Sequence, residues 1–181
     1  MKKFVFIASL FILMAASQSC FAKGFVNLNI GVTVCDKNWS ICEYVDLEMS
    51  ISENVALCGF VGFSNKSNLF WGSSCLRYEF LNTEQLMLGM EAGVIILDRF
   101  PSLGLSVILR TNLNEKFQVS VKLGGSVLLY VSDALPRGPE IVLELEGKVS
   151  YAISKSFAVV GNYKMINQRL NLFGLGCTYI F

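Results

Sequence analysis

Four stretches of this chain alternate apolar and polar residues with a period of two. After residue 22 no stretch is apolar for long enough to cross a membrane as a helix, the longest unbroken run being VLLYV at 127–131. In FVNLNIGVTV (25–34), Val26, Leu28, Ile30, Val32 and Val34 fall on one side of an extended strand, and Asn27, Asn29, Gly31 and Thr33 on the other. EYVDLEMSIS (43–52) sets Val45, Leu47, Met49 and Ile51 against Tyr44, Asp46, Glu48 and Ser50. FQVSVKLGGSVLLYV (117–131) sets Phe117, Val119, Val121 and Leu123 against Gln118, Ser120, Lys122 and Gly124. EIVLELEGKVSYAIS (140–154) sets Ile141, Leu143, Leu145 and Val149 against Glu144, Glu146, Lys148 and Ser150. Such alternation predicts strands with two chemically distinct faces. Less regular strands are expected at 55–63, 75–81, 86–97, 103–111, 157–165 and 171–181, which makes ten; merging two weak hairpins would give eight. The segment at 55–63 is the least two-faced, because Ala56, Cys58 and Phe60 make its second side apolar as well.

The N-terminus reads as an export signal. Lys2 and Lys3 precede an apolar run from Phe4 to Ala16, polar Ser17–Ser19 follow, and Cys20-Phe21-Ala22 has the small-x-small form of a cleavage site. Cleavage after Ala22 leaves residues 23–181 as one domain. The apolar run is shorter than the ~20 residues of a spanning helix, which argues against an uncleaved anchor. Ser17 stands where a lipoprotein signal usually has leucine, which weakens a lipidated Cys20. The net charge of +1 gives no footprint for nucleic acid. An exported chain that is 53% hydrophobic yet lacks spanning helices is accommodated by a closed β-barrel, where every backbone group pairs internally.

Alternation alone does not say which face points inward. A soluble barrel of the lipocalin kind would enclose the apolar face around an apolar ligand; a membrane barrel reverses the order. The proposed polar faces are rich in Gly, Ser, Thr and Asn, which suits a crowded interior. Few strands carry the lysines that protect soluble sheets. Aromatic residues gather at strand ends in two bands, Phe117, Tyr151, Phe157, Tyr179 and Phe181 at one and Trp39, Phe70, Trp71 and Phe100 at the other. Short polar links (52–54, 82–84, 112–115, 154–156) alternate with mostly longer ones (35–42, 64–74, 98–102, 132–139, 166–169). The short set is expected in the periplasm together with both termini, and the longer set outside.

The chain ends NLFGLGCTYIF, with Phe173, Leu175, Cys177, Tyr179 and Phe181 on one strand face. The run Gly176-x-x-Tyr179-x-Phe181 resembles the C-terminal signature of bacterial outer-membrane β-barrel proteins. Gly174 stands where that signature usually has a polar residue. With the signal peptide and strand pattern, the resemblance extends over the whole chain and is nearest in size to small barrels of the OmpX and opacity-protein kind. It implies recognition by the barrel-assembly machinery, lipid as the surrounding partner, and a last strand that closes on the first near Phe25–Val34.

The chain contains no histidine. A serine nucleophile would lack its usual base, the known outer-membrane enzyme families resemble one another in needing a histidine, and an imidazole-bound metal is excluded. No cofactor or metal is expected. Asp46 with Glu48, or Glu144 with Glu146, lie two residues apart, about 7 Å, and could act as an acid–base pair. The competing reading is a lumen ion network: by parity Asp46, Glu48, Glu79, Glu91, Glu144 and Glu146 share the inner face with Arg77, Arg110, Lys122, Lys148 and Lys164. A narrow barrel so filled is expected to be sealed, with a small-solute channel as the rival. Among the cysteines, a Cys35–Cys42 disulfide is expected to stiffen the first outer loop, with Cys58–Cys75 the next pairing. Trp39, Phe70 and Trp71 are expected to be outer-loop contact residues.

Overall fold

The computed structural model describes residues 24–35, 38–64, 70–97, 100–128, 141–166 and 170–181. The expected signal peptide, and much of the longer links, lie outside these residues. Ten strands follow in order: β1 (Gly24–Cys35), β2 (Asn38–Ser52), β3 (Val55–Ser64), β4 (Phe70–Asn82), β5 (Leu86–Leu97), β6 (Phe100–Asn112), β7 (Phe117–Leu128), β8 (Ile141–Ala152), β9 (Phe157–Ile166) and β10 (Leu170–Ile180). Each pairs antiparallel with its sequence neighbour, and β1 pairs with β10, so the sheet closes as an up-and-down barrel. Ten strands, not eight, is therefore the count.

Closure is made by the pairing the chain end implied. Phe25 lies opposite Ile180, Asn29 opposite Gly176 and Cys35 opposite Leu170. Gly24 and Phe181 exchange both backbone hydrogen bonds at 3.1 Å. Polar side chains close the short turns. Asn114 Oδ1 accepts the backbone N–H groups of Lys116 and Phe117, both at 2.9 Å. Ser154 Oγ accepts those of Ser156 and Phe157 at 3.3 and 3.1 Å. Thr83 Oγ1 accepts the Leu86 N–H at 3.0 Å.

The two faces separate as a membrane barrel requires. Val121, Leu143 and Leu123 are 44%, 54% and 63% exposed, whereas Glu144 is 3% exposed and Arg77 1%. The apolar residues point outward and the charges lie within, the reverse of the soluble lipocalin-like alternative, which fails on this point. Phe117 packs on Tyr151 at 4.9 Å and Phe157 on Tyr179 at 5.3 Å, so the short-turn end carries an aromatic band. The opposite end differs from expectation. β2, β4 and β6 begin earlier than alternation suggested, so Trp39, Phe70, Trp71 and Phe100 are strand residues rather than loop residues.

Small inward residues admit large ones across the seam. A Cβ on Gly174 would run into the Tyr44 hydroxyl and come within 2.6 Å of Asn162 Oδ1. Gly174→Val is therefore expected to overpack the seam and cost about 1–3 kcal/mol. Urea unfolding of the detergent-refolded protein checks this; an unchanged midpoint would show that the barrel does not close as described.

Candidate functional site: the barrel lumen

The period of two places alternate residues of every strand inside the barrel, and the register decides which of them meet. Asp46 and Glu48 come from β2, Arg77 and Glu79 from β4, Glu91 from β5, Arg110 from β6, Lys122 from β7, Glu144, Glu146 and Lys148 from β8, and Lys164 from β9. They are brought together as two groups.

Arg77 is the hub of the first. It pairs with both oxygens of Glu48, with Nη1 to Oε2 at 2.7 Å. Its Nε lies 2.9 Å from Glu79 Oε1 and its Nη1 3.5 Å from Glu91. Arg110 takes both Glu48 oxygens as well, at 3.1 and 2.7 Å, and its guanidinium lies 5.7 Å from the Phe25 ring centroid. Lys122 pairs with Glu91. Glu48 thus sits between two planar guanidinium groups whose fork geometry matches a carboxylate. In the second group Lys148 joins Asp46 at 3.0 Å and Glu146 at 2.8 Å, while Lys164 lies 3.5 Å from Glu144 and 3.8 Å from Glu146. The two carboxylate pairs considered as acid and base are held in these ion pairs.

Beyond the ions, toward the end away from the short turns, lies a cluster that the sequence reading did not assemble. Cys42, Tyr44, Phe60, Trp71 and Leu172 are buried together inside the barrel. Phe60 packs on Tyr44 at 5.6 Å and on Trp71 at 6.3 Å. Lys164 Nζ sits 4.6 Å from the Phe60 ring centroid, a cation–π contact that joins the cluster to the ions. The Tyr44 hydroxyl donates to Asn162 Oδ1. Trp71 was expected to be a contact residue in an outer loop; instead it is 2% exposed and lies opposite Gly62, where any Cβ would clash with its indole. Parity carried the missed signal: counting back by twos from Arg77 through Cys75 and Ser73 puts Trp71 inside. Trp39, by contrast, is 62% exposed on β2, and Phe70 is placed here only by its position in β4.

Phe60 and Lys164 stand between two spaces. A cavity of about 130 Å³ runs from Phe25, Gln118, Ser150 and Ile180 at the short-turn end up to the ions. A second, about 20 Å³, lies beyond Phe60 against Trp71, Ser102, Ser126 and Glu144. The second is large enough for about one water molecule.

The remaining expected positions also find places. Gly176 lies opposite Asn29, and a Cβ there would meet the Asn29 side chain. Tyr179 packs on Phe157 and on Phe181. The Cys35–Cys42 disulfide is corrected. Cys42 carries a free thiol and pairs with Gly31, four residues along β1 from Cys35 and so roughly 13 Å away. A disulfide requires Cα atoms within about 7 Å.

No protein-family model matches the chain, and no curated protein sequence matches it either. Solved structures do match in fold. The NanC porin aligns with a TM-score of 0.57 at 10% identity, over 85% of this chain and 98% of that one. The translocator domain of the autotransporter NalP from Neisseria meningitidis aligns at 0.51 and 9% identity, over 95% and 94%. An outer membrane channel from Pseudomonas putida F1 aligns at 0.51 and 8%, over 88% and 94%. These similarities are of fold: a closed antiparallel β-barrel, which this chain builds with ten strands.

Removing one member of a buried ion group leaves its partners uncompensated. Glu48→Gln strips Arg77 and Arg110 of their shared carboxylate and is expected to cost about 3–5 kcal/mol in urea unfolding. The double variant Glu48→Met with Arg110→Met should lose clearly less than the sum of its single variants. Strict additivity would show that the pair is not coupled.

Proposed function

We propose that this chain is an integral protein of a bacterial outer membrane, with a sealed lumen and a structural or surface-interaction role rather than a catalytic one. The observation that supports this best is the division of the barrel wall. Leucine, isoleucine, valine and aromatic side chains are exposed all round the outside, while paired charges and an aromatic cluster occupy the inside. Such an exterior is stable in hydrocarbon and unstable in water. In this reading residues 1–22 direct export, the short turns face the periplasm, lipid surrounds strands β1–β10, and the barrel-assembly machinery recognises Gly176, Tyr179 and Phe181. No cofactor takes part.

The competing role is a small-solute channel, which draws support from the porin and channel names of some structures that share the fold. Against it stands the filled lumen. Barrels of sixteen to eighteen strands leave an aqueous passage and those of eight are filled by side chains; ten strands lie near the narrow end of that range. Here the passage is divided at Phe60 and Lys164.

Planar-bilayer recording separates the two roles. The refolded protein is expected to be electrically silent, and Phe60→Ala combined with Trp71→Ala is expected to introduce current steps by emptying the aromatic cluster. Steady single-channel steps from the unaltered protein would overturn the sealed lumen. Location is checked by fractionation: the protein should sediment with outer membranes and migrate faster on gels before heating than after.

A further inference from the structure

The register brings one pair of cysteines face to face. Cys58 on β3 lies directly opposite Cys75 on β4, and both thiols are free. Both line the cavity at the short-turn end, beside Arg77 and Lys122. The pairing phase follows from the turn: the Glu79 N–H donates to Asn54 C=O at 2.8 Å, so the pair 54/79 is hydrogen-bonded. Hydrogen-bonded pairs recur every second residue, through 56/77 to 58/75. Opposed residues at such positions have Cα atoms about 5.5 Å apart, within the range a disulfide spans, and their Cβ atoms, about 5.5 Å apart at a hydrogen-bonded pair, must draw together by about 1 Å for the bond to form.

The other described thiols have no such neighbour. Cys42 faces Gly31 on one side and Ser64 on the other. Along the β2–β3 pairing it lies six residues from the position of Cys58, which pairs with Glu48, or about 20 Å. Cys177 is exposed on the outer face of β10.

We propose that Cys58 and Cys75 form a modification site, a cross-strand disulfide made inside the barrel when the chain folds in an oxidising compartment. The inference rests on the export reading above for its setting and on the register for its geometry. The oxidant is a disulfide compound, small or protein-borne. One cysteine, as thiolate, attacks a sulfur of that disulfide, forming a mixed disulfide and releasing one thiol. The second cysteine then attacks the bound cysteine sulfur, forming the Cys58–Cys75 bond and releasing the other thiol. Two S–H bonds are lost from the protein, and two protons and two electrons reduce the oxidant. The cavity is too narrow to admit a bulky oxidant readily, so the bond forms as β3 and β4 pair, before the barrel closes around them. It ties together the two strands that present Phe60 and Trp71, and so fastens the aromatic cluster from beneath.

Refolding from urea into detergent, in a buffer of reduced and oxidised glutathione, tests the site without requiring export. Remaining thiols are then alkylated and the protein digested. The expected result is one peptide pair joining Cys58 to Cys75, lighter by two hydrogens than its reduced form, with Cys42 and Cys177 alkylated. Cys58→Ser should leave Cys75 alkylated in a barrel that still shows heat-dependent migration. Alkylation of both Cys58 and Cys75 in a folded barrel would overturn the bridge while leaving the membrane reading intact. Failure of the chain to reach a heat-modifiable form would count against the membrane reading, and the bridge would fall with it.

Discussion

The pairing of β1 with β10 is the interaction on which the rest depends. In hydrocarbon an unpaired backbone N–H or C=O has no water to turn to and costs several kcal/mol. A sheet of ten strands left open would present two such edges. The eleven residue pairs from Phe25↔Ile180 to Cys35↔Leu170, with the Gly24–Phe181 hydrogen bonds at their foot, remove both edges at once. Closure also creates an inside. Only then do Gly174 and Gly176 acquire their meaning, as places where the wall is thin enough for Tyr44 and Asn29 to lie across the seam.

An enclosed interior makes charge expensive unless it is paired. The barrel meets that cost by drawing acids and bases from different strands into contact. Glu48 and Arg77 are far apart in sequence, as are Asp46 and Lys148, yet the tilt and register of the wall bring each pair within hydrogen-bonding reach. Lys164 then links ions to aromatics, since its ammonium serves Glu144 and Glu146 and also lies over Phe60. Ion pairs and aromatic packing thus follow one another along the barrel interior, joined at Lys164 and Phe60.

Much of this was legible because a barrel wall has one rule, applied ten times. Period-two alternation located β1, β7 and β8 closely but only the later part of β2, and parity named eleven charged residues that the register places on the inner face. Legibility failed where the rule was masked by composition. FWGSS reads as a loop by its small polar residues, but a polar lumen makes small polar residues ordinary inside a strand, so β4 starts at Phe70 and Trp71 turns inward. The same misreading set Cys35 and Cys42 at the mouths of a loop, when Cys42 in fact lies well inside β2. On β3, the apolar second face made by Ala56, Cys58 and Phe60 looked like a blurred strand. It was the signature of the lumen cluster, invisible until the register set Phe60 between Tyr44 and Trp71. Which cation meets which carboxylate depends on register across several strands, and no single segment contains that information.

The central claim is the direction of each face, and nuclear Overhauser contacts between protein and lipid in nanodiscs test it most directly. The account predicts strong contacts from lipid acyl protons to the methyl groups of Val121 and Leu143, and none to the side chains of their neighbours Lys122 and Glu144. Acyl contacts at Lys122 and Glu144, with Val121 and Leu143 silent, would contradict it.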